Sequence, residues 1–259
     1  MSHDVNGEVL DTTTTSLEIL EALQEMNGPT STELAEQFDI PTSTLHVHLN
    51  TLRKKSYVTR EGNRYYPGLK LLKLGEHAKH RGDLYEIATE NVHWMAQETK
   101  FEADFLLCQN GKMFLLYGEI GAATDPNFQI GREFYMHSTG TGKAILAEWS
   151  RDRVDTIIDR WGLPERTENT ITTKEQLYEE LKQTDTRGFG VNDEECLNGY
   201  RTIGTVIHGP LGNAIGGLGI GGPTYRIDDD TLYEQLPSIL SDASEKFETE
   251  IRNSVRAQE

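Results

Sequence analysis

Apolar residues at helical spacing predict two short helices near the amino end of the chain. The first spans about 30–38, and the second carries Leu45, Leu49 and Leu52 at positions i, i+4 and i+7, which fall on one face. A break is expected at Pro41, because the residue before a proline is pushed out of helical geometry, whereas proline suits a first helical turn. The second helix is therefore predicted to begin near Pro41.

The sequence around these helices adds a helix-start pattern and a hairpin. Thr30 and Glu33 have the spacing of a capping box, in which each side chain accepts a hydrogen bond from the other residue's backbone amide. Two β-rich runs at 57–60 and 64–66 then flank a turn around Gly62. Two helices joined by a tight turn and followed by a small hairpin are typical of a winged helix-turn-helix that reads DNA. A three-helix bundle with a hairpin would share the pattern.

The second helix carries mostly polar side chains opposite its leucines, and small polar groups suit the edges of DNA bases. We predict that this face, called the reading face below, consists of Thr42, Ser43, Thr44, His46, Val47 and Asn50. The end of the helix and the hairpin carry groups that suit phosphates. We predict contacts to the DNA backbone from Arg53, Lys54, Lys55, Arg60, Asn63 and Arg64.

The distribution of charge favours DNA binding over the plain bundle. The chain has a formal net charge of −17, yet residues 42–81 hold nine Lys or Arg against two acidic residues. Residues 1–41 hold no Lys or Arg and nine acids, and residues 82–259 hold 16 basic and 31 acidic residues. A basic segment that coincides with the second helix and the hairpin is expected of a surface that faces phosphates.

The pattern after the hairpin predicts a linker helix and a second domain of mixed helices and strands. Asn110-Gly111 between two apolar runs is a strong hairpin signal. The predicted elements are helices at 83–98, 140–149, 151–161, 173–185 and from Asp228, and strands at 105–109, 112–117, 188–191, 201–207 and 214–220. The fold class is therefore α+β, with an antiparallel sheet in the second domain. The predicted boundaries are a disordered tail at 1–11, the winged helix-turn-helix at 12–67, the linker helix at 68–82 and the second domain at 83–259.

Features of the whole chain limit the class of protein. No stretch approaches the roughly 20 apolar residues of a membrane span, and the polar amino end lacks a signal-sequence core, so we expect a cytoplasmic protein. Cys108 and Cys196 lie far apart and are expected to be unpaired thiols, with redox sensing as the alternative. His77 and His80 have no third ligand nearby, so no metal site is predicted.

The acidic balance needs its own explanation in a protein that is predicted to bind DNA. A salt-rich cytoplasm provides one, because the Debye length is only about 3 Å in 1 M salt and repulsion is screened. We therefore expect a halophilic source. A mimic of nucleic acid that binds a basic partner is the alternative, but it would not concentrate nine cations in one segment.

Two groups of small residues in the second domain suit the lining of a ligand cavity. The loop at 136–144 is rich in Gly and Thr and leads into a helix, whose amides favour an anionic or oxygen-rich ligand. It is not a Walker loop, because His137 and Ala144 stand where that motif needs Gly and Ser or Thr. The glycine-rich runs at 188–202 and 216–223 mark close backbone approach, either to a ligand or in packing. No motif calls for a cofactor.

An enzyme is the competing interpretation of this domain. Lys143 with Asp193, Glu194 and Glu195 offers a lysine nucleophile beside acids. No set of general base, orienting group and oxyanion donors accompanies that lysine in the sequence. We therefore predict that the protein is not an enzyme.

The order of several motifs resembles that of the IclR family of transcriptional regulators, from about residue 17 to residue 227. In the first domain these motifs are the helix at 30–38, Pro41-x-Ser43-Thr44, Thr51-Leu52 and Tyr65-x-x-Gly68. In the second domain they are His137-Ser138-Thr139, Gly142-Lys143-Ala144, Asp193-Glu194-Glu195, Gly199-x-Arg201 and Gly222-Pro223. None of them is specific alone, but their order and spacing make the set strong.

The resemblance implies a winged helix-turn-helix joined by a helix to a GAF-like domain that binds a small organic effector. It also implies homodimers or dimers of dimers that bind promoter palindromes in double-stranded DNA, because twofold half-sites match a twofold protein. We expect a sequence-specific regulator whose promoter binding responds to a small metabolite of carbon catabolism, with sugars as one class. An architectural DNA binder would be favoured instead if the second domain had no cavity.

Departures from the family pattern concern both predicted sites. Val47 stands where the family usually carries Arg, so base reading has to use the other residues of the reading face. Asn192, Thr202, Gly219 and Gly221 stand where members that bind small acids carry an Asp, a Cys and two Ser. This difference predicts a roomier, less charged pocket and a neutral, hydroxyl-rich ligand such as a sugar, rather than glyoxylate or pyruvate. The predicted effector-binding residues are Thr139, Gly140, Thr141, Asn192, Thr202, Gly219 and Gly221.

Overall fold

The computed structural model describes residues 8–80, 82–119 and 129–258. The chain divides into two compact units, and the first ends at His80. Most of the predicted disordered tail at 1–11 lies outside the described residues, as does Arg81 within the predicted linker helix at 68–82. No helix in the described ranges has the length and apolar character to cross a membrane.

The first unit is a small helical bundle with a two-stranded hairpin. Its elements are α1 Asp11–Glu25, α2 Ser31–Phe38, α3 Thr42–Lys54, β1 Val58–Glu61, β2 Arg64–Pro67 and α4 Lys70–Lys79. The three predicted leucines of α3 are buried, and they pack in one core with Ile19 and Leu23 of α1. The apolar pattern did not predict α1, because the helix opens with a run of threonines, which have low helix propensity.

The predicted start of α2 is confirmed. The Glu33 amide donates to Thr30 Oγ1 at 3.3 Å, and the Thr30 amide donates to Glu33 Oε2 at 2.7 Å. The predicted break is also present, since Asp39 closes α2 in the left-handed region at φ 48° and α3 begins directly after Pro41. Together these local signals fix the turn between α2 and α3, which sets the orientation of α3 against its partner helix.

The second unit is an antiparallel sheet between two layers of helices. Its elements are α5 Leu84–Thr99, β3 Glu102–Gln109, β4 Lys112–Glu119, β5 Glu133–Tyr135, α6 Gly140–Glu148, α7 Arg151–Trp161, α8 Lys174–Arg187, β6 Gly190–Asp193, β7 Tyr200–His208, β8 Ala214–Pro223 and α9 Leu236–Gln258. The described strands run in the order β5-β4-β3-β8-β7-β6, and neighbours are antiparallel. The predicted fold class is therefore confirmed.

Each face of this sheet has its own apolar core. Phe105 faces α5 and α9, where it stacks on Phe247 at 4.9 Å between ring centroids. Leu106 faces the opposite side and packs with Ile145 of α6 and Leu177 of α8. Successive residues of β3 therefore point to opposite layers, as expected for a strand that is buried on both faces.

Some elements differ from the sequence prediction. The strand β5 and a 3-10 turn at Met136–Ser138 were not predicted, because three residues are too few to show a period. The last helix was predicted from Asp228, whose Oδ1 accepts from the Thr231 amide at 2.9 Å, but it opens with a π-helical turn at Thr231–Gln235. The central strands are longer than predicted, because their ends pair with neighbours that are distant in sequence.

Glycines let α6 lie directly on the sheet. A Cβ atom at Gly190 would meet the Gly140 carbonyl oxygen at 2.0 Å, and one at Gly204 would meet the Thr141 amide nitrogen at 2.2 Å. No side chain fits at either position, since both obstacles are backbone atoms. The amino end of α6 is therefore held against β6 and β7, which is where the second candidate site forms.

Candidate DNA interface and ligand cavity

The structure places the whole predicted reading face on the exposed side of α3. Its exposed side chains are Thr42, Ser43, Thr44, His46, Val47 and Asn50. The neighbouring His48 is buried instead, and its Nδ1 lies 2.7 Å from the Ser16 hydroxyl of α1. Leucines and His48 thus hold one side of the helix in the core, and the other side is available to a partner.

The predicted phosphate-binding groups fall into two sets. Arg53, Lys54 and Lys55 lie exposed at the end of α3, and their side chains have no hydrogen-bond or ionic partner among the described residues. The hairpin arginines are held by backbone carbonyls, because Arg60 Nε donates to Gly62 at 2.8 Å and Arg64 Nη1 donates to Gly28 at 2.7 Å. Asn63 lies exposed in the turn between them.

Arg64 therefore also has a structural task. Its bond to the loop between α1 and α2 ties the hairpin to the rest of the first unit. A substitution there disturbs the position of the hairpin as well as its charge, whereas a substitution of Lys54 removes charge alone. The sequence did not predict this bond, because Gly28 and Arg64 are 36 residues apart.

The second unit contains a cavity where α6, β3, β7 and β8 meet. Its volume is about 590 Å³ when the open mouth is counted. The lining residues are Asp104, Leu106, Leu115, Arg132, Phe134, Thr139, Gly140, Thr141, Asn192, Cys196, Leu197, Tyr200, Thr202, Ile203 and Gly219. Six of the seven predicted effector-binding residues are in this set, and Gly221 is not.

The position of Gly221 has a packing explanation. A Cβ atom there would meet Thr202 Cγ2 at 2.4 Å and the Arg201 carbonyl oxygen at 2.3 Å. The residue faces its neighbouring strand, and the cavity lies elsewhere. Its glycine is therefore explained by the approach of two strands, which was the second interpretation of the glycine-rich run.

Two of the predicted ligand-binding side chains already hold the cavity walls together. Asn192 Oδ1 accepts from the amides of Glu195 and Cys196 at 2.9 and 3.1 Å, and its Nδ2 donates to Thr202 at 3.3 Å. Thr139 caps α6, where its Oγ1 accepts from the Gly142 amide at 3.1 Å. These oxygens have less capacity left for a ligand than the sequence suggested.

Two other lining side chains have buried oxygens without partners. Asp104 Oδ1 and Thr141 Oγ1 make no hydrogen bond with any described residue. Burial, together with the nearby Glu102 carboxylate, raises the pKa of Asp104 to about 7. Asp104 was not among the predicted residues, and the pocket is more charged than predicted, because Asp104 and Arg132 both line the cavity. A lone carboxylate within the apolar run 103–107 was the available signal.

The residues considered for catalysis form ion pairs behind the cavity. Lys143 is 1% exposed, and its Nζ lies 2.5 Å from Glu195 Oε1 and 3.5 Å from Glu180 Oε1. Asp193 pairs with Arg201, with 2.7 Å between Oδ1 and Nε. Lys143 does not line the cavity, so it has no access to a ligand as a nucleophile. Its role in this arrangement is to join α6 to the loop after β6.

The two cysteines remain separate thiols. Cys108 and Cys196 are both half-buried and free. Burial raises the pKa of the Cys108 thiol to about 11, and burial also raises the pKa of Cys196 despite the nearby arginines Arg132 and Arg166. A raised thiol pKa leaves little of the reactive thiolate at neutral pH. The described residues contain no cluster of three His, Cys, Asp or Glu side chains that could hold a metal ion.

Both units match known protein families. The model described as "IclR helix-turn-helix domain" matches residues 14–62, and "Bacterial transcriptional regulator IclR C-terminal" matches residues 77–249, which is more than half of the chain. The matched ranges contain the reading face and the cavity.

Individual relatives agree with these matches. The chain is 26% identical to the probable HTH-type transcriptional regulator ArcR of Halobacterium salinarum, over 92% of this chain and 93% of that one. It is 31% identical to the HTH-type transcriptional regulator KdgR of Escherichia coli, over 90% and 89%. The crystal structure of Thermotoga maritima IclR shares the fold, with a TM-score of 0.72 at 24% identity over 93% and 99%.

The matched families are regulators of transcription and not enzymes. Their helix-turn-helix domain binds DNA, and their carboxy-terminal domain binds small-molecule effectors. An architectural DNA binder would have been favoured if the second domain had no cavity, but a cavity is present. This chain belongs to the IclR family of transcriptional regulators.

Proposed function

We propose that this protein regulates a small number of promoters in response to a hydroxylated metabolite of carbon catabolism. The reading face of α3 contacts the bases, and Arg53, Lys54 and Lys55 contact phosphates on either side. A metabolite in the cavity changes the affinity of the protein for its promoter site. The observation that carries the proposal is an exposed polar helix face beside unpaired cations, in a chain of net charge −17 that also holds a cavity for a small molecule.

The DNA side of the proposal is supported by charge and exposure together. Reading-face residues other than Val47 offer hydrogen-bonding groups within a single helix face, which fits the major groove. Val47 offers a methyl surface that suits the methyl group of thymine. The hairpin adds Arg60, Asn63 and Arg64 at the edge of this surface, so the hairpin contacts the DNA backbone beside the helix.

We further propose that the protein acts as a dimer or a dimer of dimers on a palindromic site. Apolar side chains are exposed on two helices of the first unit, namely Leu17 on α1 and Leu72 and Leu74 on α4. Such exposed leucines favour association with a second copy. A twofold dimer reads two half-sites that are related by the same symmetry.

The cavity supports a ligand with hydroxyl groups. Its polar lining comes from Thr139, Thr141 and Thr202 as well as Asn192, and its apolar walls suit a small carbon skeleton. A sugar or a sugar derivative has both features. We therefore propose that the regulated genes encode proteins for the uptake or breakdown of such a compound.

Genome-wide occupancy of the tagged protein tests this function, in cells grown on several sugars and on small organic acids. We expect a few palindromic promoter sites whose occupancy changes with the carbon source. The matched control carries His46→Ala and Asn50→Ala, which alter exposed side chains only, and it should lose those sites while it remains folded. Diffuse occupancy that is the same under every condition would contradict the proposal.

A further inference from the structure

The unpartnered oxygens of the cavity point to a preference among ligands. Asp104 Oδ1 and Thr141 Oγ1 belong to the same cavity and make no hydrogen bond with any residue that the structure describes. A buried polar oxygen without a partner is costly, and the cost is removed when a bound molecule supplies the missing hydrogen bond. Two further polar side chains of the lining, Asn192 and Thr139, are already bonded to backbone amides.

The residue opposite Asp104 in the sheet leaves room for its carboxyl group. It pairs with Gly219 in the register between β3 and β8. A Cβ atom at Gly219 would lie 2.6 Å from Asp104 Oδ1 and 3.1 Å from Asp104 Cγ, so any side chain at 219 would displace the carboxyl group. Glycine at this position thus makes the room that the Asp104 carboxyl occupies.

The chemistry of these two groups defines what they accept. The Asp104 oxygens accept hydrogen bonds from ligand hydroxyl groups, and the Thr141 hydroxyl can donate or accept. When Asp104 is ionised, above a pH of about 7, a ligand carboxylate beside it would put two like charges together in a site of low dielectric constant. The other ionisable groups at this cavity among the described residues are Arg132, Cys196 and Tyr200, and Glu102 lies on the same strand as Asp104.

We infer that Asp104, in the space left by Gly219, is the residue that selects a neutral hydroxylated effector over small carboxylic acids, with Thr141 as its partner in binding. This inference rests on the proposed function, because it names the ligand class of the same cavity. The raised pKa of Asp104 agrees with a carboxyl group that has no favourable partner until a ligand arrives.

Calorimetric titration of the full chain in the absence of DNA tests the inference. The probes are three neutral compounds, D-glucose, D-xylose and D-mannitol, and three acids, D-gluconate, pyruvate and glyoxylate. The variants are Asp104→Asn and Thr141→Val, both close in shape to the native residue, with the exposed Asp242→Asn as a matched control. Thermal unfolding of each variant checks that it is folded.

The wild type should bind at least one neutral compound more tightly than the acids. Thr141→Val should weaken that binding about tenfold, since a hydrogen bond to a buried partner is lost. Asp104→Asn should weaken it at least as much and should reduce the preference against acids, whereas Asp242→Asn should change neither.

Three results would overturn the inference. They are binding of acids only, binding of none of the neutral compounds, and an Asp104→Asn protein with unchanged affinity and preference. Binding of pyruvate or glyoxylate alone would also contradict the hydroxylated ligand of the proposed function. Binding of D-gluconate alone, or an unchanged Asp104→Asn protein, would leave the proposed function intact if occupancy of palindromic promoters still depends on the carbon source, so the two proposals fail separately. Loss of that occupancy response as well would remove both.

Discussion

Asp104 links the chemistry of the cavity to the stability of the folded domain. Its pKa is raised from the ordinary value of 3.8 to about 7, first by burial and second by Glu102. The unfolded chain therefore releases this proton at a lower pH than the folded protein does. Asp104 therefore makes its full contribution to the free energy of unfolding below about pH 4, and this contribution is lost as the pH rises through about 7.

We expect Asp104→Asn to stabilise the protein more at high pH than at low pH. The gain in the free energy of unfolding relative to wild type should be larger at pH 8 than at pH 5.5 by about 2 kcal/mol, because the amide cannot ionise. Denaturant unfolding at the two pH values measures this gain. The exposed Asp242→Asn control should show no such difference, and an equal effect of Asp104→Asn at both pH values would contradict the raised pKa.

Gly204 provides a second prediction at the scale of one residue. A Cβ atom there would lie 2.2 Å from the Thr141 amide nitrogen, so Gly204→Ala has to push α6 away from β7. We expect a loss of about 1–3 kcal/mol in the free energy of unfolding. Gly118→Ala on β4 is the control, since its Cβ would meet neighbours only at 3.5 Å or more, and it should cost less than about 1 kcal/mol. Equal stabilities of the two variants would refute the close-approach account.

Individual residues show which parts of the cavity could be predicted from the sequence. Thr139, Thr141 and Asn192 were found because small polar residues near glycines suit a cavity, and all three line it. Asp104 and Arg132 were overlooked, because a cavity depends on which strands pair. The register of β3 with β8 joins residues more than 100 positions apart, and no local pattern encodes it.

Elements with strong local signals were predicted well. The cap of α2, the proline before α3 and the hairpin turn at Gly62 each depend on neighbouring residues, so their structure follows from short-range chemistry. The elements that were missed or misplaced, α1 and β5, have few local signals and are fixed by packing on distant elements.

On α3, contacts to phosphates and contacts to bases should affect DNA binding in different ways. We expect Lys54→Ala to weaken binding to specific and random DNA alike and to lower the salt slope by about 1, because one phosphate contact is lost. His46→Ala should weaken specific binding by about 1–3 kcal/mol and leave random DNA nearly unchanged. Fluorescence anisotropy at several KCl concentrations measures both quantities.

The choice of Lys54 over Arg64 for this comparison follows from the structure. Arg64 also bonds to the Gly28 carbonyl, so its removal would mix lost charge with a displaced hairpin. Lys54 has no such partner among the residues described. Losses of the same size on both DNAs for Lys54→Ala and His46→Ala would contradict the division between phosphate and base contacts.

The net charge of −17 bears on the whole molecule. Repulsion among so many carboxylates destabilises the compact state when salt is low, and it is screened when salt is high. We expect the unfolding temperature to rise as KCl is increased from 0.1 M to 2 M, in agreement with a halophilic source. The neutral solute glycine betaine is the control, and it should raise the unfolding temperature less. An unfolding temperature that does not depend on KCl would argue against this origin of the charge.

The central claim is that occupancy of the cavity controls the affinity of α3 for its promoter site. The most direct measurement is the binding isotherm of the protein on one occupied promoter fragment, with and without the neutral compound that binds most tightly. We predict a change in affinity of about fivefold or more in the wild type, and little change in Thr141→Val at the same ligand concentration. A wild-type affinity that stays constant while the ligand saturates the cavity would contradict the claim.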